Sequence, residues 1–173
     1  FGPLQLSATA FDDTRDVVAN RVSGYSPVAG AAGQFVQAAH IEIAQAGASG
    51  AMRSSVGDLC RWHASLFGER LLSRRWLDVM FAPGRLRDGR VSGANRFSPQ
   101  DAGYGEVQYA MGLLVSPPGE QRSLLHYGYI EGFSSCLEAF PDAGVTLAVL
   151  CNGDVGPSLP FRAIRRAVRD GLA

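Results

Sequence analysis

Between residues 109 and 152 the apolar side chains recur at every second position, and the links between the apolar runs are only a few residues long. No other feature of the chain restricts its fold as strongly. Period two is the signature of strands with one face buried. The runs are "YAMGLLVS", "RSLLHY", "FSSCLEAF" and "VTLAVLC", which begin at Tyr109, Arg122, Phe133 and Val145. They are separated by Pro117-Pro118-Gly119, by a short stretch through Gly132, and by Pro141-Asp142-Ala143-Gly144. Parallel neighbours need a crossover of a dozen residues or more, so links this short impose an antiparallel meander. The segment that follows, "PSLPFRAIRRAVRDGL", sets Phe161, Ile164, Val168 and Leu172 on one helical face with arginines opposite. That stripe needs a surface to bury against, and the meander is adjacent in sequence. The expected fold class is therefore α+β: an antiparallel sheet meander with the C-terminal helix (residues 158–172) packed on it, plus a small helical and loop region.

That smaller region, residues 1–106, carries weaker signals. "SSVGDLCRWHASLFG" is the clearest. Ser55 stands three residues before Asp58, as in a capping box. Leu59, Trp62, His63 and Leu66 then share a helical face, and Gly68 closes it. "SRRWLDVMF" predicts a second short helix with Ser73 as cap, ended by Pro83-Gly84. The stretch from Ala29 to Ala51 is rich in Ala, Gly and Gln, and is consistent with a short helix near Phe35–Ile43 or with a long ordered loop. Residues 84–106, rich in glycine, predict a surface excursion. The expected organisation is one domain fragment over 1–173, with the strand and helix region at 107–173.

Composition limits the partners. Of 173 residues 46% are hydrophobic, and the formal net charge is zero. A nucleic-acid binder or a reader of anionic membranes needs a basic surplus, so neither partner is expected, and no segment is long enough to span a membrane. All the cationic residues are arginine, so no lysine in these residues can act as base or Schiff-base former. Cys60, Cys136 and Cys151 follow no metal-site spacing. A turn centred on Asp142-Ala143 places Cys136 opposite Val149 and diagonal to Cys151. Diagonal neighbours lie about 7–8 Å apart, which makes core cysteines the reading rather than a disulfide. Phe1 is not a natural start, so the chain is expected to be part of a longer protein of unknown compartment.

Candidate chemistry centres on His126. A histidine at the end of a strand can donate or accept a proton near neutral pH. Gly128, two residues on, removes a side chain where a ligand or another backbone would approach. A sheet-edge N–H beside such a glycine can hold an oxyanion. His-x-Gly is also compatible with a structural histidine before a turn glycine. Ser134 and Ser135 lack the strand–Ser–helix elbow of a nucleophile and read as ordinary strand serines. His40, Glu42 and His63 show no metal-ligand spacing, and neither a metal nor a cofactor is expected. Asp12, Asp13 and Asp154 read as solvated acids near loops.

Several motifs, in order, resemble the C-terminal portion of the serine β-lactamase-like family, which includes class C β-lactamases, D-alanyl-D-alanine carboxypeptidases, D-aminopeptidases and related esterases. "FGPLQLSATAF" resembles the family's P-L-G-M-x-x-T-x-F segment, with Gln5 in place of glycine. "GASGAMRSSVGDLCRW" is similar to its A-G-G-L-x-S-T-A-x-D-L-x-R-F stretch, and "YAMGLLV" to its Y-G-L-G-W strand. "HYGYIEGFSSCLEAFPDAGVTLAVLCN" resembles the block H-T-G-x-x-P-G-F-S-S-x-L-x-x-x-P-D-x-G-x-x-V-V-V-L-x-N. The resemblance implies a partial β-lactamase/transpeptidase-like fold. It implies that His126 takes the Lys/His place beside the nucleophile–base network and that the N–H of Tyr129 is one of two oxyanion donors. By the same resemblance Tyr127 and Gly128 line the substrate, with Tyr127 where Thr or Ser is usual. The family's Ser-x-x-Lys is not among these residues. The expectation is the C-terminal part of a penicillin-binding-protein-like serine hydrolase, inactive alone, acting in the complete protein on a small-molecule or peptide-like amide, β-lactam or ester. Its site would be completed by a missing N-terminal half or by self-association. The alternative is a non-catalytic binding or scaffold module that kept the fold.

Overall fold

The computed structural model describes residues 1–92, 107–119, 121–154 and 161–172. Its centre is a five-stranded antiparallel sheet in sequential order: β5 (Gln108–Tyr109), β6 (Leu114–Val115), β7 (Leu124–Ile130), β8 (Phe133–Phe140) and β9 (Val145–Cys151). The meander expected from the short links is present. Two runs differ: "RSLLHY" begins its strand at Leu124 and continues through Gly128 to Ile130, so His126 lies within the strand and not at its end, and "YAMGLLVS" is a hairpin rather than a single strand. The chain reverses at Met111-Gly112, Ala110 N–H donates to the Leu113 carbonyl at 2.8 Å, and Gln108 pairs with Val115. Gly112 makes the reversal possible by adopting φ 71°, a region that side chains with a Cβ disfavour. Cys136 lies opposite Val149, as the turn position implies, and all three cysteines are free thiols.

Each face of this sheet has its own apolar layer, because alternate residues of a strand point to opposite sides. Val115 and Leu124 join Leu66, Leu77, Phe81 and Ala110, and so face α1 (Val56–Phe67) and α2 (Arg74–Phe81). Leu114, Leu125 and Cys136 join Val107 and Phe161, and so face α3 (Phe161–Leu172). The final helix is described from Phe161, and residues 158–160 lie outside the described part.

In α3 the charge pattern misleads. Ile164, expected inward, is 37% exposed, whereas Arg165, expected outward, is 4% exposed. Its guanidinium donates to both oxygens of Glu138, at 2.6 and 2.9 Å, and Glu138 is fully buried on β8. A bidentate pair of this kind fixes the helix angularly as well as energetically. The helix therefore rotates to bring a cation to a buried carboxylate.

Helix α1 begins as its sequence specifies: Ser55 Oγ accepts from Asp58 N–H, and Gly68 N–H closes the far end on Ala64 O. Its buried face differs from the expected stripe. Trp62 is 37% exposed, while Asp58 is fully buried. Asp58 Oδ2 accepts from Ala8 N–H and Thr9 Oγ, both at 2.8 Å, and Arg61 pairs with Oδ1. The carboxylate thus ties the N-terminal segment to the helix, and this tie turns Trp62 outward. Burial would raise the Asp58 pKa, but the donors from Thr9, Arg61 and Ala8 prevail and hold it below the usual carboxylate value.

The stretch from Ala29 to Ala51 is neither a helix nor a plain loop. It contains β3 (Phe35–Gln37), paired with β2 (Tyr25–Pro27), and a 3₁₀ segment at Ile43–Ser49. A second small pair joins β1 (Ala10–Phe11) to β4 (Met52–Arg53). Of the expected excursion at 84–106, residues 93–106 lie outside the described part. Among the described residues no helix is long and apolar enough to cross a membrane.

Candidate active site

Strand β7 positions every residue that the sequence nominates. The donation from Ser116 N–H to Ser123 O fixes the phase of its backbone. Hydrogen-bonding direction alternates along a strand, so Ser123, Leu125, Tyr127 and Tyr129 direct their N–H groups to the β6 side, and Leu124, His126 and Gly128 direct theirs to β8. Strand β6 pairs with β7 only at Leu124 and Leu125. On that side, beyond Leu125, no strand pairs with β7 among the described residues. The N–H of Tyr129 therefore points toward a side that the sheet leaves open.

The side chains divide between the faces. His126 shares its face with Leu124 and is exposed. Its ring lies 6.0 Å from that of Tyr127, centroid to centroid, at 31°. Gly128 lies on the same face, opposite Ser135, and a Cβ built there would come within 2.7 Å of Ser135 Oγ. The absent side chain at Gly128 thus leaves room for a serine hydroxyl. Tyr127 is half-buried on the opposite face and packs against the layer of Leu125, Cys136 and Phe161. Tyr129, also on that face, is 51% exposed. Its phenol interacts with the Asp154 carboxylate, which raises its pKa above the usual tyrosine value. Burial and Glu131 act in the same direction.

Asp154 is not the solvated loop acid that the sequence suggests. Ser26 Oγ donates to its Oδ2 at 3.0 Å, its N–H donates to Tyr25 O at 2.8 Å, and its Oδ1 is buried without a hydrogen-bond donor. Asp12 is likewise engaged, by Arg21 and Arg53, and Asp13 by Arg15. The sequence offered one signal for Asp154: it closes the long block that opens at His126. Ser26 had none, because only the fold brings it there.

The remaining candidates stand apart from β7. Ser134 is buried and donates to Gly153 O at 3.0 Å. His63 is buried on α1, edge-on to Phe67 at 5.3 Å, with its Nδ1 unbonded, and burial pulls its pKa down to about 4. His40 and Glu42 are exposed. No group of three His, Cys, Asp or Glu side chains suited to a metal is gathered among the described residues.

Comparison with known proteins places this architecture. No curated protein sequence matches the chain. The D-stereospecific amidohydrolase from Streptomyces sp. superposes with TM-score 0.67 at 26% identity, covering 94% of this chain and 44% of that one. The D-amino acid amidase from Ochrobactrum anthropi SV3, complexed with L-phenylalanine amide, gives 0.69 at 21% identity, covering 100% of this chain and 49% of that one. The octameric penicillin-binding protein homologue from Pyrococcus abyssi gives 0.70 at 18% identity, covering 98% and 35%. The chain thus spans less than half the length of these structures. The family model described as Beta-lactamase matches residues 1–170, nearly the whole chain, and the protein accordingly belongs to the Beta-lactamase family.

Proposed function

We propose that this chain forms the sheet wall of an acyl-transfer site in a serine hydrolase, one that cleaves amides of D-configured amino acids or short peptide-like substrates. One observation carries the reading: the outer half of β7 leaves His126 exposed and directs the Tyr129 N–H toward a side that no strand covers among the described residues. Likeness to the D-stereospecific amidohydrolase from Streptomyces sp., at 26% identity, supports the substrate class. The nucleophile lies outside these 173 residues, which contain no lysine and so no Ser-x-x-Lys.

In this reading the serine hydroxyl attacks the substrate carbonyl carbon as its proton passes to the lysine base. Negative charge gathers on the carbonyl oxygen, and the Tyr129 N–H donates to it. Loss of one such donor typically lowers kcat by about 10²–10³-fold. The amine leaves with a proton, an acyl-enzyme remains, and water then attacks the ester past the same donor. The His126 imidazole hydrogen-bonds the substrate and the nucleophile–base network. Gly128 keeps the wall free of side-chain bulk beside the reacting carbonyl, and Tyr127 supports the wall from behind, packed against Leu125, Cys136 and Phe161.

Labelling the complete protein with a fluorophosphonate and assaying ammonia release from D-amino acid amides tests the reading. The expected result is one labelled serine, within Ser-x-x-Lys, and turnover of the amide; the 173-residue chain alone gives neither. Labelling of Ser134 or Ser135 would refute it. A complete protein without Ser-x-x-Lys and without turnover would favour a non-catalytic binding or scaffold module.

A further inference from the structure

An oxyanion donor is only as well aimed as the strand that carries it. Beyond Leu125, β7 has a strand on one side only among the described residues, so its outer end needs another anchor. The structure gathers one from distant segments. The Glu131-Gly132 turn abuts the β2–β3 pair so closely that a Cβ on Gly132 would lie 2.5 Å from Ala38 Cβ and 2.8 Å from Gly24 Cα. Strand β2 is bonded in turn to the chain just after β9: Tyr25 N–H donates to Asn152 O at 3.2 Å and Asp154 N–H to Tyr25 O at 2.8 Å. Ser134, the cross-strand partner of Tyr129, reaches the same segment through its bond to Gly153 O. Together these contacts set the Gly153-Asp154 segment beside the Tyr129–Ser134 pair, where the Asp154 carboxylate acts on the Tyr129 phenol.

One atom there is out of balance. Ser26 satisfies Asp154 Oδ2, while Oδ1 is buried and accepts no hydrogen bond. A buried, unsatisfied carboxylate oxygen is costly and calls for a reason. The Tyr129 hydroxyl is the donor at hand, and hydrogen bonds of a catalytic apparatus are often long before substrate binds and tighten only in the Michaelis or transition-state complex.

We propose that Asp154 is a positioning residue for acyl transfer: Oδ1 receives the Tyr129 hydroxyl as the transition state forms, and this link holds the Tyr129 N–H on the developing oxyanion. The proposal rests on the acyl-transfer reading and extends it to a residue that touches no substrate. Asp154 and Tyr129 then act as one unit, with Ser26 steadying the carboxylate from behind. Because the link closes as charge develops on the oxyanion and not in the ground-state complex, its loss lowers turnover and leaves substrate affinity nearly intact.

Steady-state kinetics of the complete protein decide it. Tyr129→Phe keeps the backbone N–H and removes only the phenol hydroxyl. It is expected to lower kcat about tenfold, short of the roughly 10²–10³-fold cost of losing an oxyanion donor outright, with KM changed less than twofold. Asp154→Ala is expected to match it, the double variant to be no worse than either single, and Asp154→Asn, which retains a carbonyl acceptor, to recover most of the loss. In the 173-residue chain, titration of the Tyr129 phenol by ultraviolet absorbance is expected to run above the ordinary tyrosine range and to fall toward it in Asp154→Ala. An active enzyme in which Tyr129→Phe keeps full kcat, or in which the two losses multiply, overturns the proposal while sparing the acyl-transfer reading. A complete wild-type protein with no hydrolytic activity overturns both. Should Asp154→Ala fail to fold, Tyr129→Phe against wild type still decides.

Discussion

The two halves of β7 are built for opposite ends. At the inner half, Leu124 and Leu125 are 0% and 1% exposed, have strands on both sides, and each anchors the apolar layer of one face. At the outer half, His126 and Tyr129 are exposed, and among the described residues only β8 runs alongside. Burial is non-directional and gains from enclosure on every side. A backbone donor that must meet a ligand gains from the reverse, an open side. One continuous strand reconciles the two, because the rigid inner half sets the position of the outer half without covering it. Glu138, opposite Leu125, belongs to the enclosed half, and Ser134, opposite Tyr129, to the open one.

The sharpest way to break this contrast is at the enclosed half. Arg165→Ala leaves the Glu138 carboxylate buried without its partner, and loss of one member of a buried pair costs about 3–5 kcal/mol. Urea unfolding at neutral pH should show that loss, and a change under about 1 kcal/mol would mean that α3 does not fix the inner half. Leu124→Ala removes a fully buried side chain from the cluster it forms with residues of α1, α2 and β6, with an expected cost of about 2–5 kcal/mol, read as a lower urea midpoint at unchanged slope.

A third test concerns the layer beneath. His63 titrates at about 4 in the fold, against about 6.5 when unfolded. Its folded pKa is depressed, so the neutral form is the one the fold accepts. The resulting stability is fully present above pH 6.5 and is lost as pH falls toward 4, because the unfolded chain takes up the proton first. The loss over that window is on the order of 3 kcal/mol. His63→Leu should flatten stability between pH 7 and pH 4.5; a variant as acid-labile as the parent would assign the effect elsewhere.

The smallest expected effect on stability lies at the open half. His126→Ala should change unfolding by no more than about 0.5 kcal/mol, as for exposed sites generally, while lowering kcat/KM of the complete protein by about 10²-fold. A large stability loss, or unchanged kinetics, would erase the distinction between the halves.

The amino-acid sequence alone determined the meander, the ends of β8 and β9, the Ser55 cap and closing Gly68 of α1, and the location of the candidate site on one strand. These follow from local rules: period two, short links, caps and turn glycines act between neighbours along the chain. What the tertiary structure decided involves pairs that no local rule joins. Arg165 looked outward because a charge on an amphipathic helix belongs in water unless a carboxylate is buried beneath it, and Glu138 lies 27 positions away. Asp58 looked like a capping-box acid and no more, and Asp154 like a surface acid, until Thr9 and Ser26 arrived from remote segments to donate to them. The Met111-Gly112 reversal was hidden because its apolar residues continue the alternation through the turn. Sequence periodicity records which side chains avoid water. It does not record which polar group another will meet once water is gone, and those meetings set the rotation of α3, the exposure of Trp62 and the surroundings of Tyr129.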